Sequence, residues 1–273
     1  MVDMHIHTNN SDGSNSTKEI VEMLKILRAE MFSITDHDNV DAYKELENID
    51  IENMTCIPGI ELSSKNENYN CHVLGYYIDY NNKDLINECE IIKNRRIEKI
   101  NVIINYLEKE KNIYLSEEEK LKIFGKTGTI GRYDLCKVLM DKGYGTKPIV
   151  YDRYLTNIDG ITTHRSEIET TTSVIKKAHG IPVLAHPKEI EDTYNINIED
   201  VIEDFIEKGI EGIEVYNTIH TLKEAKKYLE LALKYNLLIT GGSDYHGVSH
   251  PERKLGRTTM YKLALNSSNL KTH

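Results

Sequence analysis

Val2-Asp3-Met4-His5-Ile6-His7-Thr8, followed closely by Ser11-Asp12-Gly13, is the stretch on which the reading of this chain turns. Apolar residues alternate with polar ones from Val2 to His7, which is the period of a half-buried strand, and Asp12-Gly13 reads as a turn. Residues two apart on a strand point to one face, so His5 and His7 stand side by side, as a shared metal ion requires. Alone, such a pair is weak evidence, and two ordinary histidines are the simpler explanation.

Working outward, short β-branched and apolar runs alternate with amphipathic stretches, the signature of an α/β fold with parallel strands. Seven strands are expected: Val2 to His7, Met31 to Thr35, Thr55 to Leu62, Cys71 to Ile78, Pro182 to His186, Glu211 to Tyr216 and Leu237 to Gly242. Ser16 and Glu19 form a capping-box pattern ahead of Ile20, Met23, Leu24 and Leu27, which predicts a crossover helix. Further helices are expected over Glu167–His179, Glu199–Lys208 and Leu222–Tyr235, with Gly180 and Gly209 placed to stop the first two. From Asn81 to Arg165 no convincing strand is found, and the composition suggests a helical insertion. Its first helix carries Leu85, Cys89, Ile92, Ile100, Ile103 and Leu107 on one stripe, interrupted by Arg96, and Ser116 with Glu119 opens a second.

The 273 residues are 39% hydrophobic, enough for one good-sized core plus an inserted subdomain. Lys and Arg total 34 against 44 Asp and Glu, and the formal charge of −10 argues against a broad grip on duplex DNA. A small phosphorylated ligand is compatible, because bound divalent cations make a site locally positive. No stretch approaches the run of about 20 apolar residues that a membrane span needs, so a soluble, cytoplasmic protein is expected, with no membrane partner. Cys56, Cys71, Cys89 and Cys136 are scattered without a C-x-x-C pair, which indicates neither a disulfide framework nor a zinc ribbon.

The strongest signal is where the potential ligands fall. His5 and His7 end the first strand, with Asp12 just beyond, and Asp36-His37-Asp38 follows the second. Glu61 ends the third, His72 opens the fourth, His186 closes the fifth, and Asp244 and His246 follow the seventh. In β/α barrels the active site forms at the carboxyl ends of the strands, where residues remote in sequence converge. Each group has a bland explanation as a turn or a helix cap; for all of them to fall at strand ends by accident is much the less economical account.

Met4-His5-Ile6-His7-Thr8 with Ser11-Asp12-Gly13, Thr35-Asp36-His37-Asp38, Gly59-Ile60-Glu61, Ala185-His186-Pro187 and Ser243-Asp244-Tyr245-His246 resemble, in order, the motifs of the polymerase and histidinol phosphatase (PHP) family. The resemblance implies a distorted seven-stranded β/α barrel formed by residues 1–80 and 166–273, with residues 81–165 as a helical insertion covering the active site. It implies two or three divalent ions: His5, His7, Glu61 and Asp244 for one, Glu61, His72 and His186 for a second, Asp12, His37 and His246 for a third. Mixed nitrogen and oxygen ligation suits Mn²⁺, Fe²⁺ or Zn²⁺.

The insertion, Ile130-Gly131-Arg132 and Asp152-Arg153-Tyr154-Leu155 most resemble the small phosphoesterases acting on nucleoside 3′,5′-bisphosphates, some of which trim short single-stranded RNAs from the 5′ end. That branch usually has Pro-His after Gly-Arg, where this chain has Tyr133-Asp134, and Lys188-Glu189 after the His-Pro motif is a second departure. Hydrolysis of a phosphomonoester, without a covalent phospho-enzyme, is expected, on a small and nucleotide-like phosphorylated substrate. Asp244, His246 and His220 are the expected catalytic residues, and Arg132, Arg153 and His220 the expected substrate contacts. His220 is equally well explained as a polar residue opening the next helix. A second anion site is suggested by Gly125-Lys126-Thr127-Gly128-Thr129-Ile130-Gly131-Arg132 leading into a helix. Competing expectations are a histidinol-phosphate phosphatase and a catalytically silent metal-binding module.

Overall fold

The computed structural model describes residues 1–126, 128–158, 161 and 163–258. The chain divides into two compact units, Met1–Cys89 with Arg165–His273, and Glu90–His164.

In the first unit the strands are β1 (Val2–Ile6), β2 (Met31–Ile34), β3 (Thr55–Cys56), β4 (Gly59–Lys65), β5 (Asn70–Tyr76), β6 (Ser166–Glu167), β7 (Ile181–Leu184), β8 (Gly212–Asn217) and β9 (Leu238–Gly242). Two sheets result among the described residues, β1-β2-β3 and β6-β4-β5-β7-β8-β9. The strand count therefore differs from the seven expected, and the main cause lies at Pro58. The segment read as one strand over Thr55–Leu62 is two: β3 pairs in parallel with β2, and β4 pairs antiparallel with β5. Pro58 lies between them and has no N–H to carry a ladder through. β6, the other addition, pairs with the end of β4 through Ser64↔Ser166.

The expected alternation of parallel strands also fails at β5. Asn66 turns the chain back by accepting from the N–H groups of Asn68 and Tyr69 at 2.9 and 2.6 Å, so β4 and β5 form a hairpin. β5 runs against β7 as well, whereas β7, β8 and β9 are mutually parallel. The beginning of β5 thus lies at the same edge as the ends of its neighbours. The two sheets touch through two parallel bridges, Ile6↔Tyr245 and His37↔Glu61.

The first unit's helices are α1 (Thr17–Ile26), α2 (Asp41–Leu46) and, in part, α3 (Lys83–Lys111). α4 (Glu117–Phe124), α5 (Arg132–Asp141) and α6 (Lys147–Val150) belong to the second unit; α7 (Ile168–Lys177), α8 (Pro187–Tyr194), α9 (Ile202–Glu207) and α10 (Leu222–Lys234) return to the first. Ser16–Glu19 and Ser116–Glu119 close as reciprocal capping boxes, and Thr221–Glu224 adds a third. Gly209 stops α9 with φ of 98°, but after α7 the left-handed residue is His179 at 62°, not Gly180.

Leu85, Cys89, Ile92, Ile100, Ile103 and Leu107 of α3 are all buried, and Arg96 is half-buried. The second unit builds its own core from the far half of that stripe with Ile123, Leu135, Leu139, Val150 and Leu155. No helix among the described residues is long and apolar enough to cross a membrane.

Candidate metal centre

His5 of β1 and His7, the residue that follows the strand, are both fully buried. Their Nε2 atoms lie 3.1 Å apart. β9 reaches them because Gly242 has no side chain: a Cβ there would stand 2.3 Å from the His5 backbone nitrogen. Backbone bonds then seat the next turn, with Asp244 N–H donating to His5 O at 2.8 Å and His7 N–H to Tyr245 O at 2.9 Å. Asp244 is held at φ of 53° and His186 at 23°, conformations disfavoured for residues with a Cβ, which aim both side chains inward.

Glu61 stands at the centre and is fully buried. Its Oε2 is 3.2 Å from His5 Nε2, 3.1 Å from His7 Nε2 and 3.2 Å from His37 Nδ1. Its Oε1 is 2.9 Å from His186 Nε2 and 3.1 Å from His72 Nδ1. His72 pairs with Ser63 across the hairpin, so it is the diagonal neighbour of Glu61 on the same face. His72 therefore joins the cluster from the start of its strand: β5 is antiparallel, and its first residues meet the ends of its neighbours.

In the segment Asp36-His37-Asp38 only the middle residue enters the cluster. Asp36 accepts from Thr8 N–H, Thr8 Oγ1 and Ser11 Oγ, and Asp38 accepts from the N–H and Oγ of Ser63. Two flanking carboxylates thereby pin the loop that carries His37. At the rim, Asp12 Oδ1 lies 3.3 Å from His246 Nε2 and 3.7 Å from His7 Nδ1, and its Oδ2 lies 3.8 Å from His37 Nε2.

Among the described residues, four groups have donor atoms within 4.8 Å of one another: His5, His7, Glu61 and Asp244; His7, Asp12, His37 and His246; His37, Glu61 and His72; and His72, His186 and Glu189. All nine residues expected as metal ligands are thus brought together. The donors are imidazole nitrogens and carboxylate oxygens without a thiol, a set that fits borderline divalent cations. None of the four cysteines belongs to these groups.

The electrostatics are those of interlocked opposite charges. Burial disfavours charge on His7, yet hydrogen bonds to Asp244 and Glu61 hold its imidazole up at about 10. His186 is raised to about 9 against burial by Glu189 and Glu61. Burial pushes His37 down to about 3. Glu61 and Asp244 are both held well below the ordinary carboxylate range, since the surrounding histidines outweigh desolvation.

Three residues not expected at the site complete the surroundings. Glu214 of β8 is fully buried; its Oε1 lies 3.0 Å from His5 Nδ1, and its Oε2 accepts from His186 N–H at 2.8 Å and Asn217 Nδ2 at 2.9 Å. Glu189, in the first turn of α8, places Oε2 3.3 Å from His186 Nδ1. Arg253 pairs with Glu189 Oε1 at 2.8 Å and with Asp244 Oδ2. The signal for Glu214 was in view: a carboxylate within the strand Glu211–Tyr216, on a position that a purely apolar core would fill otherwise. Arg253 lies two residues after Pro251 in an irregular segment, where no periodicity points inward.

The remaining expected residues belong to none of these groups. His220 is buried with its ring edge-on to Tyr228 at 4.8 Å and Nδ1 2.9 Å from the Val215 carbonyl; burial lowers its pKa, and it belongs to none of the four groups. Arg132 and Arg153 are in the second unit. Arg132 donates to the Leu155 carbonyl at 3.3 Å. Arg153 is exposed, in a turn of π-helix over Tyr151–Leu155, and lines a cleft of about 570 Å³ with Lys111, Tyr144 and Tyr154. In the proposed anion loop, Thr127 lies outside the described residues, and the Gly131 N–H donates to Asp134, which also pairs with Lys126. The start of α5 therefore already holds a carboxylate.

The chain is similar to several characterised proteins along most of its length. It is 28% identical over 255 residues to a phosphoribosyl 1,2-cyclic phosphate 1,2-diphosphodiesterase of Eggerthella lenta, covering 90% of this chain and 94% of that protein. It is 26% identical over 262 residues to a 3′,5′-nucleoside bisphosphate phosphatase of Chromobacterium violaceum, covering 94% and 91%. A 5′-3′ exoribonuclease Rnm of Escherichia coli is 26% identical over 257 residues, covering 89% and 84%. The fold matches a crystal structure from Bifidobacterium adolescentis with a TM-score of 0.78 at 23% identity, over 97% of this chain and 95% of that one. It also matches a structure of an amidohydrolase from Chromobacterium violaceum with a TM-score of 0.77 at 25% identity, over 94% and 90%. The PHP domain model matches residues 3–173, more than half of the sequence, and the chain belongs to the PHP domain family.

Proposed function

We propose that this protein is a divalent-metal-dependent phosphoesterase acting on a small phosphorylated nucleotide, with the 3′-phosphate of a nucleoside 3′,5′-bisphosphate as its preferred group. The observation that carries the reading is the division of five imidazoles over the two oxygens of Glu61, three around Oε2 and two around Oε1. A carboxylate can bridge two cations, whereas each imidazole nitrogen serves one. In this assignment His5, His7, Glu61 and Asp244 hold one ion, Glu61, His72 and His186 a second, and Asp12, His37 and His246 a third. The same reading takes β1, β2, the β3–β4 pair, β5, β7, β8 and β9 as the staves of a distorted seven-stranded barrel.

Divalent cations bound there would acidify a water and offset charge on the phosphoryl oxygens during in-line displacement. The chain's own residues orient the donors. Glu214 fixes which nitrogen of His5 faces the centre, the carboxylates of Asp36 and Asp38 fix the His37 loop, and the buried face of β1 excludes bulk water. The names of the three relatives, a cyclic phosphate diphosphodiesterase, a nucleoside bisphosphate phosphatase and an exoribonuclease, support a phosphoester of a ribose-containing substrate.

Phosphate release from 3′-phosphoadenosine 5′-phosphate, histidinol phosphate and a short 5′-phosphorylated RNA, with Mn²⁺ present, tests the reading. The bisphosphate is expected to be the fastest, and His5→Ala or Asp244→Ala to lose both turnover and metal. Preferred release from histidinol phosphate would replace the substrate. Metal binding with no release from any of the three would favour a silent metal-binding module.

A further inference from the structure

We propose that Glu189 is an additional ligand of the cation held by His72 and His186, giving that position a second carboxylate beside Glu61. The inference rests on the phosphoesterase reading for the presence of a cation and goes beyond it in the donor set.

Four observations converge on Glu189. One of its carboxylate oxygens belongs to a group with His72 and His186 whose donor atoms all lie within 4.8 Å of one another. Its Oε2 is 3.3 Å from His186 Nδ1, a buried nitrogen with no hydrogen-bond partner, so the contact is close without the alignment of a hydrogen bond. Its Oε1 is taken by Arg253 Nη2 at 2.8 Å, which orients the carboxylate and leaves Oε2 turned toward the histidines. A cleft of about 190 Å³ is lined by His72, His186 and Glu189 together, so an ion placed among them lies where a substrate phosphate can reach it.

Local structure explains the placement. Pro187 starts α8, and Glu189 falls in its first turn, three residues after His186, where a carboxylate is favoured by the N–H groups of the helix start. His186, just ahead of that turn, has a positive φ of 23°. Two carboxylates and two imidazoles would neutralise a divalent ion and favour one that accepts hard oxygen donors, such as Mn²⁺, over one that prefers nitrogen and sulfur.

Glu189→Gln decides between a ligand and an orienting group, because the amide keeps the shape and an acceptor oxygen but loses the anionic donor. Crystals of wild type and Glu189→Gln loaded with Mn²⁺ alone would be compared in anomalous difference maps, and the affinity for Mn²⁺ measured by calorimetry. The expected result is a wild-type ion bonded to His72, His186 and Glu189 that is depleted in the variant, with one class of Mn²⁺ binding weakened about 10- to 100-fold. The ion bonded to His5, His7 and Asp244 stays in both. Full occupancy beside His72 in Glu189→Gln, or a wild-type ion there not bonded to Glu189, overturns the inference while leaving the phosphoesterase reading intact. A wild type that binds no Mn²⁺ anywhere sinks the phosphoesterase reading and this inference together.

Discussion

His37 and Glu61 meet twice: their backbones form a parallel bridge between the two sheets, and their side chains stand 3.2 Å apart, Nδ1 to Oε2. A single contact therefore belongs both to the fold and to the centre. The Asp38 N–H donates to Glu61 O at 2.9 Å and the Glu61 N–H to Asp36 O at 3.2 Å, so the loop after β2 is laced along β4 on both sides of His37. Glu61→Gln should leave this lacing in place, because it is made by the main chain. The variant should keep its melting cooperativity and circular dichroism but lose bound metal, with turnover lower by about 100-fold or more. Metal analysis beside a thermal melt checks it; a variant that unfolds would instead show the carboxylate to be needed for the fold.

Glu214 offers a different test, because its carboxylate touches no cation in the proposed assignment. It fixes His5 through Nδ1 and His186 through the backbone N–H, two residues assigned to different ions. Glu214→Gln should weaken metal affinity about 10- to 100-fold while the fold persists. The loss should appear as a higher metal concentration for half-maximal rate and not as an altered KM for substrate at saturating metal. A changed KM with unchanged metal dependence would contradict the orienting role.

The parts of the centre legible in the sequence were those tied to strand periodicity. His5 and His7 sit two apart, and the ends of β2, β7 and β9 lead directly into His37, His186 and Asp244. Ser16, Ser116 and Glu119 declared their helix starts because a capping box is a local hydrogen-bond pattern. What stayed hidden depended on tertiary pairing. The exchange of sheets at Pro58 and the reversal at Asn66 follow from which strand lies alongside, and this also decided where His72 would point. Arg253 and Glu189 meet across 64 residues with no shared motif. α8 was missed because a helix of eight residues starting at a Pro leaves little periodic signal.

Gly242 is the position where β9 passes closest to β1. A Cβ would lie 2.2 Å from His5 Cβ and 2.3 Å from its backbone nitrogen, distances that no rotamer change relieves because both atoms are part of or next to the main chain. Gly242→Ala must push the strands apart, at about 1–3 kcal/mol for the overpacking. Displacement of His5 should also lower metal content, so the variant should lose stability and metal together. Restoration of the melting temperature by excess Mn²⁺ would be partial at most.

Acid stability should report the cap of α10. Glu224 is the third residue of that helix; it accepts from Thr221 N–H at 2.7 Å and pairs with Lys188 at 2.7 Å. Desolvation works against its charge, but Lys188 and the Thr221 N–H outweigh it and hold the carboxyl at about 2, below its ordinary 4.5. A carboxyl depressed in the folded state binds its proton more readily when unfolded. Its contribution is fully present above about pH 4.5 and is lost as the pH falls through about 2. Glu224→Ala removes the reciprocal half of the capping box and the pair with Lys188 while Thr221 stays as the cap, so it should cost about 0.5–1.5 kcal/mol at pH 7. The difference in urea midpoint between wild type and Glu224→Ala should shrink as the pH is lowered from 4.5 to 2. Because Glu224 makes none of the contacts of the His5–Glu61 cluster, metal content at pH 7 should be equal in the two proteins; a pH-independent difference in midpoint would show that the stabilisation comes from packing and not from the charge.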